Sequence, residues 1–227
     1  MADDELDSSP NDKRSVLLRA FDAALKSAGH AVDPFIHSLR TRNPTATREE
    51  LLKKLDMYLM STVTSSGAAT GGAAAVPGVG TAASLGLVGG DTGVFLTTAA
   101  MYVLATSRIH GVDPGHIEHQ RALVLAVLGG GSGAATVGRI AERTGGYWGK
   151  TLANSVPLST IRAINKVLGR NFVTRYGSRT GILVLGKAAP FGVGAVIGAG
   201  GNLVMARMII RGTRAAFGPL EVSGAYV

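Results

Sequence analysis

The chain has 227 residues, 46% of them hydrophobic but only 5% aromatic, and it has no cysteine. That length suffices for one sizeable domain with a core of small aliphatic groups, and the missing thiols exclude disulfides, thiolate metal sites and cysteine nucleophiles. Residues 1–56 carry 9 basic and 10 acidic side chains, whereas residues 57–227 carry 14 and 5, so the formal net charge of +8 belongs to the second part.

The opening MADDELDSSPNDKR is acidic and polar. It predicts a disordered tail over residues 1–11 and neither a secretory signal nor a transit peptide, which makes a cytoplasmic location the default. A helix is expected from Asp12, with Val16, Leu17, Phe21, Ala24, Leu25 and Ala28 on one stripe and Gly29 to end it. Asp33 and Pro34 suit the start of a short second segment through Leu39, because Asp caps and Pro fits the first helical position. Residues 12–44 are thus expected to form N-terminal amphipathic helices, ending in the linker RTRNPTA. Thr47 and Glu50 form a capping box, in which hydroxyl and carboxylate each satisfy an orphan amide of the first turn. Leu51, Leu52, Leu55, Tyr58, Leu59 and Val63 follow on one face.

From Met57 to Gly90 there is no Asp, Glu, Lys or Arg, yet the residues are Gly, Ala, Thr, Ser and Val rather than bulky apolar types. Gly86 and Gly90, four apart, would put bare backbone on one helix face, where a helix or a lipid chain can approach closely. Pro77, Gly78 and Gly80 interrupt this stretch before a helical run from about Thr81 to His110, in which Asp91 is the one charge before Arg108. Asp113 and Pro114 are expected to start another helix through Leu128, ahead of the glycines at 129, 130, 131 and 133. Ile161, Ile164 and Leu168 give helical spacing to Leu158–Leu168, and Pro190 to Arg211 reads as a last helix whose Gly194 and Gly198 again allow close packing. No clean period-two run with turn signals appears, so the expected fold is all-α, a Gly/Ala-rich helical bundle in a single domain. Ala188–Ala206 holds 19 uncharged residues, the length of a bilayer span. It contains Pro190, Asn202 and five glycines, so hairpin insertion or reversible docking is the easier association.

Between Glu142 and Glu221 lie eleven Lys or Arg and no acid. Such a one-signed field seeks an anionic partner. The cations alternate with Gly, Val, Leu and Ile rather than with stacking aromatics, which favours a membrane lipid surface over nucleic acid. Arg175, Arg179, Lys187, Arg207 and Arg211 are the expected headgroup or partner contacts.

Val156 to Gly218 carries a Pro followed by Ile-Asn-Lys (Ile164 to Lys166), Thr-Arg-Tyr-Gly (Thr174 to Gly177), Leu-Gly-Lys before a Pro (Leu185 to Pro190), and a Gly-rich Val-Ile-Gly helix. In this order the elements resemble the C-terminal half of the EcsC family. Gly71 to Leu128 resembles it more loosely, through a Gly/Ala tract with Pro77, Asp91 in an apolar helix, and Gly111 to Asp113. The likeness covers roughly residues 45–218, leaving 219–227 as a C-terminal tail. It departs from the family pattern at His110, where Tyr is usual, and at Asn202, where Asp is often found. The resemblance implies a bacterial, largely helical protein whose namesake is encoded beside an ABC transporter. It implies no defined activity, and no catalytic residue is carried over.

Other motifs are weaker. Gly181 to Lys187 has the glycine and lysine spacing of a P-loop, but Ala188 replaces the Ser or Thr that would hold Mg²⁺. Gly78, Gly80 and Ala83 imitate a dinucleotide turn without a βαβ unit. His110, Asp113, His116, Glu118 and His119 cluster within ten residues, and His116 and His119, three apart on a helix, are the weak metal candidates. Ser84 and Ser132 lack an elbow motif. Asp91 and Asn202 are polar groups within apolar helices, expected to be buried and paired with Arg108 or with backbone. Tyr147 and Trp148 suit either an interfacial anchor or a buried pair. The expected function is therefore non-catalytic, without a cofactor: an EcsC-like, membrane-associated protein at the inner membrane that binds anionic lipid. The alternatives are an accessory or self-assembling subunit on a membrane transporter, and then a cryptic hydrolase or metalloenzyme.

Overall fold

A computed structural model describes the backbone of residues 10–73, 81–141, 147–187 and 193–220, and within these the side chains of 16–66, 68, 92–138, 147–174 and 200–220. Among the described residues there are eight helices and no strand: α1 (Pro10–Thr41), α2 (Arg48–Ala73), α3 (Thr81–Ile109), α4 (Ile117–Leu128), α5 (Gly131–Ala141), α6 (Trp148–Asn154), α7 (Leu158–Lys187) and α8 (Val193–Phe217). The fold is all-α, built around one hydrophobic core to which α1 through α8 all contribute.

α3 and α4 form the interior. In α3 every residue from Phe95 to Ser107 except Thr97 is buried, and in α4 every residue from Ala122 to Val127. Helices that are apolar all round must be covered on all sides. α1 and α2 flank α3, α8 lies along α2, and α7 lies along α4.

α1 differs from expectation. It does not end at Gly29 or restart at Pro34 but runs unbroken through both. Pro34 forfeits one backbone hydrogen bond. The apolar stripe nevertheless continues through Leu25, Ala28, Val32 and Ile36, all buried, and tertiary burial of that stripe outweighs the local penalty. Gly29 serves close approach instead: a Cβ there would stand 3.0 Å from the Gln120 side-chain oxygen. α2 starts as predicted, with the Thr47 amide donating to a Glu50 carboxylate oxygen at 2.7 Å and the Glu50 amide donating to the Thr47 hydroxyl at 3.2 Å.

The helix expected from Asp113 and Pro114 begins three residues later. His116 is its N-cap, with Nδ1 accepting from the Glu118 amide at 3.1 Å. Asp113 is drawn away by Arg108, which also reaches Asp33 at 3.0 Å and so ties α1 to the end of α3. The side chain of Asp91, the other partner considered for Arg108, lies outside the described residues. Between α4 and α5 the chain turns at Gly130 with φ +59, a conformation suited to glycine. The two helices then approach so closely that a Cβ on Gly133 would lie 2.2 Å from the Ala126 carbonyl oxygen. α7 extends well past Leu168 and α8 past Arg211. No helix among the described residues is long and apolar enough to cross a membrane.

Candidate functional site

The C-terminal half of α8 borders two cavities. On one side α2, α3 and α8 meet at Asp56, whose carboxylate accepts from the Tyr102 hydroxyl at 2.7 Å and pairs with the Arg214 guanidinium. Tyr102 is 1% exposed. Burial first, and the bond to Asp56 second, push its phenol above the ordinary range, so it serves as a fixed donor and not as a proton-transfer group near neutrality. His110 stacks on Phe217 with ring centroids 5.3 Å apart. Asp56, Tyr102, Thr106, His110, Tyr147 and Arg214 line a cavity of about 700 Å³ together with Gly218–Leu220. Glu49 and Lys53 at its rim pair with each other at 3.2 Å. The charges of its described lining residues therefore cancel in pairs.

The second cavity, of about 380 Å³, lies where the turn at Gly129–Gly131 faces α8. Gly212 lines it and Arg214 lines the first; two positions apart, they fall on nearly opposite faces of the helix. Its walls come from Phe95, the end of α4, Ala134, Trp148, Met205, Met208 and Ile209, and among the described residues its single charged lining residue is Arg211. Arg207 and Arg211, four apart on α8, are both exposed, and neither forms an ion pair among the described residues. Val204, one turn before Arg207, is an exposed apolar side chain on the same face.

Other expected site residues are used structurally or lie elsewhere. Asn202 is 3% exposed and donates to the Val63 carbonyl oxygen at 2.8 Å, joining α8 to α2. In the histidine cluster, His119 donates from Nε2 to the Val156 carbonyl oxygen at 2.9 Å, and Glu118 accepts from the Asn165 amide at 2.7 Å. The His116 and His119 rings are 6.2 Å apart, and no group of three metal-ligating side chains occurs among the described residues. Ser132 donates to the Gly129 carbonyl oxygen at 3.1 Å, a local turn bond. Tyr147 and Trp148 part company: Tyr147 is exposed and Trp148 is buried against the apolar cavity. The Gly181 to Lys187 segment is the last part of one continuous helix, without the strand and loop that cradle a phosphate. Arg175, Arg179 and Lys187 fall on α7, Ser84, Gly86, Gly90 and Asp91 on α3, and Gly194 and Gly198 on α8; their side-chain environments lie outside the described residues, as do Gly78 and Gly80 altogether.

Sequence reasoning missed Asp56 and Tyr102. The available signal was a carboxylate set beside the buried Leu55 and Leu59, but its phenol partner lies 46 positions away. No protein-family model, curated protein or solved structure matches the chain, so the geometry alone bears on its role.

Proposed function

We propose that this chain is a non-catalytic, EcsC-like protein that binds an anionic lipid surface through the exposed face of α8. The observation that carries this reading is Arg207 and Arg211: exposed, one turn apart and without an ion pair among the described residues, they stand beside an apolar cavity and the exposed Val204. Cations bordering apolar surface suit the boundary between headgroups and acyl chains. The net +9 of residues 57–227 supplies a long-range attraction of the same sign. Association would be peripheral, consistent with described helices that are too short or too polar to span.

Replacing both side chains, Arg207→Glu and Arg211→Glu, tests the reading by equilibrium binding to vesicles of mixed neutral and anionic phospholipid. Each basic residue near such a surface is worth about 1 kcal/mol, so affinity should fall at least tenfold. Unaltered affinity would overturn the assignment and leave the basic face to a protein partner.

A further inference from the structure

We infer that the 380 Å³ cavity beside α8 holds a single apolar chain of an anionic amphiphile, with Arg211 on its charged head. The inference rests on the lipid reading above and names the ligand class of that face. The volume falls within the roughly 300–1,000 Å³ of small-molecule sites. Apart from Arg211 and the Trp148 indole, the described lining side chains are hydrocarbon, thioether or absent. A polar ligand would therefore lose its hydrogen bonds to water without replacement, whereas an alkyl chain loses nothing and gains dispersion contacts. Met205 and Met208 add unbranched, adaptable walls, and a Cβ built on Gly130 or Gly131 meets nothing within 4 Å, so the glycine turn leaves that wall open. Arg211 lines the cavity and is also exposed, which sets its charge at the opening. An apolar volume whose described lining carries one cation, without an ion pair among the described residues, is complementary to a long-chain carboxylate or to one tail of an anionic phospholipid.

The test is a titration of the purified full chain with cis-parinaric acid, whose fluorescence rises in an apolar site, without vesicles. Saturable one-to-one binding is expected, with weaker binding of its methyl ester. Arg211→Glu should weaken the acid by about tenfold or more, the size of a lost charge-assisted hydrogen bond. Ala134→Phe should block the cavity; Ala215→Phe, at an exposed lining position, does the same should the first variant fail to fold. Arg207→Glu, outside the lining, should leave this titration unchanged while weakening vesicle binding. If Ala134→Phe also weakens vesicle binding, the chain comes from the bilayer; if vesicle binding is untouched, the ligand is a free fatty acid. Absence of saturable binding, or binding indifferent to Arg211→Glu and to both cavity-filling variants, overturns the inference. Should vesicle binding persist in that case, the surface reading stands without it, and loss of vesicle binding alone removes the surface reading instead.

Discussion

The two cavities that flank α8 share a helix but handle charge in opposite ways. Around the larger one, Asp56 meets Tyr102 and Arg214, and Glu49 meets Lys53; around the smaller one, Arg211 faces hydrocarbon. A polar cluster that satisfies itself joins helices and asks nothing of solvent, because leaving any member unpaired would cost more than the bonds return. A cation kept beside apolar surface, with no ion pair among the described residues, adds little to folding. The first pattern is that of a clasp between α2, α3 and α8, and the second is the face that we propose turns toward a ligand.

The sharpest way to break this contrast is to remove the clasp. Asp56→Ala would strand the buried Tyr102 hydroxyl and unpair Arg214. With the Arg214 side chain 64% exposed, solvent softens part of that loss, and destabilisation of about 2–3 kcal/mol is expected. Urea unfolding measures it, and vesicle binding of the folded variant should not change. Gly133→Ala probes the other side, since the added methyl would collide with the Ala126 carbonyl oxygen. Its expected cost is about 2 kcal/mol, read in the same unfolding experiment, with a widened turn at the apolar cavity. Tyr102→Phe keeps the shape and deletes one donor, for about 1 kcal/mol. The double charge reversal at Arg207 and Arg211 should change stability by less than about 0.5 kcal/mol while it weakens lipid binding, the reverse of Asp56→Ala.

The smallest effect lies at the start of α2. The Thr47 amide first, and its hydroxyl second, hold the Glu50 carboxyl below the usual carboxylate range. The cap contribution is therefore complete above the ordinary glutamate pKa and is lost as pH falls through the lowered folded value. Glu50→Gln should flatten that acid limb of the stability profile.

What could be read from residues alone tracks the range of the interactions. The α2 cap was legible because Thr47 and Glu50 are three apart, and the all-α class because no period-two run with turn signals occurs while segments such as residues 16–28 and 161–168 keep helical spacing. Gly29 and Pro34 misled because their local cost is overridden by a stripe, from Phe21 to Ile36, that packs against distant helices. Asp113 misled for the same reason, since Arg108 at the end of α3 recruits it. The clasp was not legible: Asp56, Tyr102 and Arg214 are separated by 46 and 112 positions, and no periodicity connects them. The Arg211 cavity was legible only as charge, since the hydrocarbon around it comes from α3, α4, α5, α6 and α8 together.

The most direct measurement is flotation of the full chain with vesicles of neutral and of anionic phospholipid, each at low and at high salt. Binding to the anionic vesicles alone, weakened by salt as screening shortens the reach of Arg207 and Arg211, is the predicted result. Binding to neither vesicle type, or equal binding to both regardless of salt, would contradict the claim that Arg207 and Arg211 of α8 face a lipid anion.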